Sequence, residues 1–244
     1  MKVTGCIPSR YASTRLPGKP LCDIGGKPMV IRVVEQALQA KSLNEVIVLT
    51  DDERIRDAVK NAGYRAVMTS EQCASGTDRI AEYMKIDPST DIFVNMQGDE
   101  VLLDPKHIDV LVGNFIGRDD AEMGTLAHWE SRAEVLGDPT TAKVVMGRDN
   151  QALYFSRNCI PVRQDGNLPE QALVQIGVYI YTRNALEKLG RLEQAPLEST
   201  EKLEQLRALE HGIKITVSIV DHYESLSVDT EQDLAKAQKI FGKC

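Results

Sequence analysis

The segment Glu45–Thr50, EVIVLT, is a near-continuous apolar run. A strand with one wet face alternates apolar and polar residues. An unbroken run is instead expected of a strand buried on both faces, as in a parallel sheet covered by helices. The neighbouring stretches carry the partners such a strand requires. Val3–Pro8 reads as a short buried strand closed by Pro8. Pro28 suits the first turn of a helix, and Val30, Val33, Val34, Ala37 and Leu38 recur behind it at helical spacing. Asp51–Ala62 predicts a helix with Gly63 as its stop, Arg65–Thr69 a strand, Thr77–Lys85 a helix and Asp91–Met96 a strand. This alternation predicts an α/β fold built from right-handed βαβ units around a mostly parallel sheet. Ligands of such sheets bind outside the carboxyl ends of the strands. The loops after Pro8, Thr50, Thr69 and Met96 are therefore expected to converge on one edge.

The second half is less regular. A helix is expected from Asp104–Pro105 to about Ile116, strands over Ala142–Met146 and Gln175–Thr182, and one strong helix over Glu198–Glu210. Lys214–Val220 reads as a strand and Thr230–Phe241 as a closing helix. Residues 1–244 read as one domain, with a strand-rich stretch of about 124–185 as a lobe that covers the site or makes a dimer contact.

Charge and cysteine usage exclude several functions. With 36 acidic and 29 basic residues the net charge is −7, which argues against a nucleic-acid binder. No stretch approaches the roughly 20 apolar residues of a membrane span, and the amino terminus lacks a secretory signal. A cytoplasmic protein is expected. Cys6, Cys22, Cys73, Cys159 and Cys244 are widely spaced with no C-x-x-C, so neither a disulfide framework nor a zinc site is expected. His107, His128, His211 and His222 sit in no motif.

The most informative loop is Ser9–Lys19, SRYASTRLPGK, which leaves a buried strand and precedes a helix. It crowds Arg10, Arg15 and Lys19 together with Ser13, Thr14 and Gly18. Such crowded cations call for an anion, and a triphosphate would meet both the bidentate arginine fork and the point charge of lysine. Spacing alone leaves a solvated basic loop as the alternative. The G-x-x-x-x-G-K-[ST] and G-x-G-x-x-G fingerprints are absent.

The run Ile7–Leu21, IPSRYASTRLPGKPL, resembles the amino-terminal signature of the 3-deoxy-manno-octulosonate cytidylyltransferases. Further segments are similar to that family's motifs, in family order: Ser75–Arg79, Val94–Glu100, Ala152–Arg157, Leu203–Arg207 and Val228–Thr230. The resemblance spans nearly the whole chain. It implies a Rossmann-like nucleotidyltransferase fold, with a mostly parallel twisted sheet flanked by helices and a smaller strand-containing lobe. It also implies a homodimer. The implied reaction transfers CMP from CTP to the anomeric hydroxyl of 3-deoxy-manno-octulosonate, giving pyrophosphate and an activated sugar for lipopolysaccharide synthesis.

The resemblance also implies residue roles. Asp99 and Asp229 would pair on Mg²⁺, a hard cation that often takes only one or two protein carboxylates plus substrate phosphates. By themselves they read as a turn residue after Gly98 and as a helix cap or its neighbour before Thr230. Arg10, Arg15, Lys19 and Asp99 become the catalytic candidates. Ser13, Ser75, Asp78, Arg79 and Gln97 join Arg10 and Lys19 as nucleotide partners, with a plain helix cap as the alternative for Ser75 and Asp78. Arg157 is the candidate cation for a sugar carboxylate, and Gln175, Tyr179, Glu204 and Gln205 the candidate hydroxyl partners. For the last three the alternatives are a core aromatic and a solvated helix face. Asp51 and Asp52 read as first-turn helix residues with no metal role. One departure stands out: the family usually carries a histidine where this chain has Gln175, which opens an amino-substituted sugar as a second substrate.

Overall fold

Each strand of a parallel sheet needs neighbours for its backbone groups and helices over its apolar faces. The computed structural model, which describes residues 1–12, 16–224 and 226–242, supplies both. The chain forms two compact units, Met1–Asp109 with Glu224–Cys244, and Val110–Tyr223. The second contains the strand-rich stretch singled out above and extends beyond it at both ends.

The first unit begins with β1 (Val3–Ser9), α1 (Met29–Ala37), β2 (Glu45–Thr50), α2 (Glu53–Asn61), β3 (Arg65–Met68), α3 (Gly76–Ile86) and β4 (Ile92–Asn95). Every pairing among these strands is parallel, in the order β3-β2-β1-β4. The registers Ser9↔Thr50 and Thr50↔Met68 align the carboxyl ends on one edge, as expected. Successive strands move outward from β1 through β2 to β3, and β4 then returns to the other side of β1. The order reverses there, so a crevice opens between the chain leaving β1 and the chain leaving β4. Val46 to Leu49 are buried, and α1 buries Met29, Val30, Val33, Val34 and Ala37. Helices α1 and α3 pack on β1 and β2, and α2 on β2 and β3.

Helix α2 starts two residues later than its sequence suggests, at Glu53. Asp52 is its N-cap, accepting from Arg54 N at 2.9 Å. Asp51 lies before the cap and accepts instead from Arg79 Nη2 at 2.8 Å. Only one of two adjacent carboxylates serves the free amides of the first turn. The other is left for a partner on α3.

Helix α4 (Pro105–Ile116) includes the boundary between the units. The second unit then holds β5 (Met123–Glu130), α5 (Ala133–Leu136), β6 (Lys143–Met146), β7 (Ala152–Ser156), β8 (Ala172–Thr182), α6 (Arg183–Leu189), α7 (Pro196–Glu201), α8 (Gln205–Glu210) and β9 (Ile215–Val220). Strand β5 pairs antiparallel with β8 and parallel with β9, while β6 pairs antiparallel with β7 and β8. Strand β5 is buried along nearly all its length, so it shows no alternation.

The single helix expected over Glu198–Glu210 is two. Lys202 breaks it at φ 55°, in the left-handed region. The physical cause is competition for the backbone. Arg157 Nε donates to Glu201 O at 2.9 Å and Arg157 Nη2 to Lys202 O at 3.1 Å. Those carbonyls are thereby turned away from helical partners. The chain returns to the first unit and ends in α9 (Glu231–Phe241), capped by Thr230. Among the described residues no helix is long and apolar enough to cross a membrane.

Candidate active site

The crevice in the first unit is a cleft of about 440 Å³. Its walls come from the predicted sheet edge: Ser9, Arg10 and Ala12 after β1, Cys73 to Gly76 and Arg79 from the chain after β3, and Gln97 to Asp99 after β4. Gly98 is required here for closeness. A Cβ at this position would lie 2.9 Å from both Pro8 O and Ser9 Oγ, so only glycine lets these two loops pass so near each other.

Lys19 enters from a 3₁₀ turn, Lys19–Leu21, whose approach needs a second glycine. Gly18 has φ 67°, and its N–H donates to Tyr11 O at 3.3 Å, closing the loop after β1. The ring of Tyr11 in turn lies under the Arg54 guanidinium, 3.4 Å from its carbon to the ring centroid. Asp229 comes from the far end of the chain. Val228 N donates to Asp99 O at 3.1 Å, and Glu100 and Ser227 form an antiparallel bridge. This short pairing sets Asp229 beside Asp99 across 130 positions of sequence (229 − 99).

The two carboxylates meet on one cation. Lys19 Nζ donates to Asp99 Oδ2 at 2.5 Å and to Asp229 Oδ1 at 2.8 Å. Burial alone would push the lysine pKa down, but Asp99 and Asp229 overcome it and push it up. The ammonium is therefore charged at neutral pH. Two hard oxygen donors, with space beside them for phosphate oxygens and water, also suit Mg²⁺. Among the described residues no group of three or more His, Cys, Asp or Glu side chains could hold a metal.

A second polar group lies within the second unit. Tyr179 Oη donates to Gln205 Oε1 at 3.1 Å, Gln205 Nε2 to Gln175 Oε1 at 2.7 Å, and Gln175 Nε2 to Thr125 Oγ1 at 3.1 Å. Thr125 Oγ1 in turn donates to Val178 O at 2.9 Å. The relay fixes both glutamine amides: each has its oxygen toward a donor and its nitrogen toward an acceptor. Burial pushes the Tyr179 phenol well above its ordinary range, so it stays protonated and can donate.

Residues 4–215 match the family described as cytidylyltransferase. The chain belongs to the cytidylyltransferase family. It is 45% identical over 243 residues, 99% of each chain, to a 3-deoxy-manno-octulosonate cytidylyltransferase of Desulfatibacillum aliphaticivorans. It is 44% identical over 241 residues, 98% of each, to an 8-amino-3,8-dideoxy-manno-octulosonate cytidylyltransferase of Shewanella frigidimarina. A solved CMP:2-keto-3-deoxy-manno-octonic acid synthetase complexed with CTP superposes with a TM-score of 0.93 at 39% identity, covering 100% of this chain and 99% of that one.

In this cytidylyltransferase the cleft gathers Arg10, Lys19, Ser75, Arg79, Gln97, Asp99 and Asp229 from the expected site residues. Arg15 and Ser13 lie outside the described residues. Asp78 is taken by a capping box: its Oδ2 accepts from Ser75 N at 3.0 Å, and its N–H donates to Ser75 Oγ at 3.1 Å. Arg79 is buried and held by Thr69 Oγ1 at 2.5 Å and Asp51 Oδ2 at 2.8 Å. It therefore shapes the cleft wall while its charge is already compensated.

In the second unit the structure joins Gln175, Tyr179 and Gln205. Glu204 stands at the start of α8, and its charge acts on the Tyr179 phenol. Arg157 is engaged by backbone carbonyls: besides Glu201 O and Lys202 O, its Nη1 donates to Pro139 O at 3.2 Å and Thr140 O at 3.0 Å. A guanidinium with all three nitrogens so engaged clamps these loops together.

Ser9 and Cys73 are among the cleft residues that sequence reasoning missed. Ser9 is buried, and its Oγ has no hydrogen-bond partner among the described residues. Its position at the carboxyl end of β1 is the signal that could have found it. Cys73 lines the opposite wall. Burial and a hydrogen bond to Glu82 push its thiol up to about 11, so it is no thiolate nucleophile at neutral pH.

Proposed function

We propose that this cytidylyltransferase joins CMP from CTP to the anomeric hydroxyl of 3-deoxy-manno-octulosonate. The observation that carries the reading is the convergence of Lys19, Asp99 and Asp229 in one cleft at the carboxyl edge of a parallel sheet. The triphosphate lies in the first unit, where Arg10 and Lys19 offset its charge. The sugar hydroxyl attacks the α-phosphorus in line. A new P–O bond forms, the bond from the α-phosphorus to its bridging oxygen breaks, and pyrophosphate leaves with the electron pair. The hydroxyl proton passes to solvent.

Asp99 and Asp229 would hold Mg²⁺, which when bound neutralises charge on the phosphate oxygens. The chain's residues position and neutralise more than they transform. The Tyr179–Gln205–Gln175 relay supplies donors and acceptors for sugar hydroxyls. We also infer a cytoplasmic homodimer. The exposed Trp129, Leu153 and Val162 of the second unit support a contact between copies.

A second sugar is favoured by a specific residue. Gln175 hydrogen-bonds in both directions but does not titrate near neutrality, and relatives of near-equal identity are named for the 8-amino sugar. The test is pyrophosphate release with CTP, Mg²⁺ and 3-deoxy-manno-octulosonate, run beside the 8-amino analogue and a no-sugar control. Release with the parent sugar is the expected result. Release with the amino sugar alone would move the reading to that substrate, and release with neither would overturn it.

A further inference from the structure

The Lys19 ammonium stands 2.5 Å from Asp99 Oδ2 and 2.8 Å from Asp229 Oδ1. A magnesium ion shared by the same two carboxylates would sit about 2.0–2.1 Å from their oxygens, in the same small volume. The two cations therefore exclude one another. Two facing carboxylates without a cation would repel each other, and Lys19 removes that repulsion in the protein without substrate. Its side chain is a single charge on a flexible four-carbon stem, so it can leave this position and reach another anion.

We propose that Lys19 is a placeholder cation, which occupies the metal position until nucleotide arrives and then moves from the carboxylates to the triphosphate. This rests on the reading of Asp99 and Asp229 as metal ligands. A dication arriving alone must displace a paired ammonium that then has no new partner. A dication arriving with a triphosphate meets a site where the displaced ammonium finds phosphate oxygens at once. Metal binding is thus coupled to nucleotide binding, and the bare protein holds dications weakly. Lys19 acts here as a positioning residue whose charge sets the order of assembly.

Titrating Mn²⁺ into the nucleotide-free protein, followed by the electron paramagnetic resonance of free Mn²⁺, reads this directly. Lys19→Met keeps the side-chain length and removes the charge. Its Mn²⁺ affinity is expected to rise by about tenfold or more, since a like charge has left the site. Lys19→Gln serves as the second variant, and thermal melts establish that both are folded. Equal Mn²⁺ affinity in wild type, Lys19→Met and Lys19→Gln would overturn the placeholder role. If Asp99→Asn still weakened Mn²⁺ binding measured with CTP present, the metal reading would survive that failure. Unchanged Mn²⁺ binding by Asp99→Asn with CTP would overturn the metal reading and the placeholder together.

Discussion

Two lysines of this protein do opposite work. Lys143 is fully buried, and its Nζ donates to Asp138 O at 2.6 Å, Arg157 O at 2.9 Å and Thr141 O at 3.0 Å. Burial pushes its pKa down, and with no carboxylate in its hydrogen bonds it serves as a clamp for loop carbonyls. Lys19 instead faces two carboxylates in an open cleft, where a ligand can take them over. The difference lies in what each cation touches, and both side chains look alike in a sequence. Asp99 is the residue on which chemistry should depend most. Asp99→Asn keeps the shape and removes the charge, so it is expected to cut pyrophosphate release by at least ~100-fold, the loss of several kcal/mol of charge stabilisation. The thermal midpoint should change little, because Asp99 is part-exposed and its backbone bond from Val228 N persists. Activity near wild type would remove Asp99 from the reaction.

At the scale of elements, each junction is decided by which polar group reaches the chain end. Helix α3 shows this at both ends. Ser75 and Asp78 close its start with a capping box, which also holds Ser75 at the cleft. At its end Asp87 is buried and accepts from Tyr83 Oη at 2.7 Å, Ser89 Oγ at 2.5 Å and Thr90 Oγ1 at 2.7 Å. Burial by itself would raise the Asp87 pKa, but the hydrogen bonds from Ser89, Thr90 and Tyr83 outweigh it and hold the carboxyl well below its ordinary 3.8. The folded-state value is depressed, so this contribution is fully present above pH 3.8 and is lost as pH falls toward the folded value. Asp87→Asn should therefore cost about 1.5–3 kcal/mol at pH 7, the range for hydrogen bonds to a charged group. Denaturant unfolding should show a narrower gap between the two proteins at pH 3. An equal gap at both pH values would mean that the charge of Asp87 contributes nothing. The break between α7 and α8 follows the same logic, since Arg157 takes the carbonyls that a continuous helix would have used.

At the scale of the whole molecule, the proposed homodimer gives the exposed apolar residues of the second unit a purpose. Trp129→Asp is expected to shift sedimentation velocity from dimer toward monomer, and an unchanged dimer would place the contact elsewhere. The parallel half of the fold was legible from residue order. EVIVLT and its neighbours are local patterns, and burial on both faces leaves a signature in consecutive side chains. The second unit was less so. Strand β5 is buried without alternation, and the helix over Glu198–Glu210 is broken by a residue more than forty positions away. The site divides in the same way. Sequence by itself determined the strand-loop-helix units, the basic loop after β1 and, through motif order, the family. Motif order also implied that Asp99 and Asp229 pair; only the tertiary structure decided that both hold Lys19, that Asp78 closes a capping box with Ser75 and that Arg157 binds the carbonyls of distant loops. Those outcomes rest on hydrogen bonds between distant segments, and a carboxylate or a guanidinium takes whichever partner the fold brings within three ångströms or so of it.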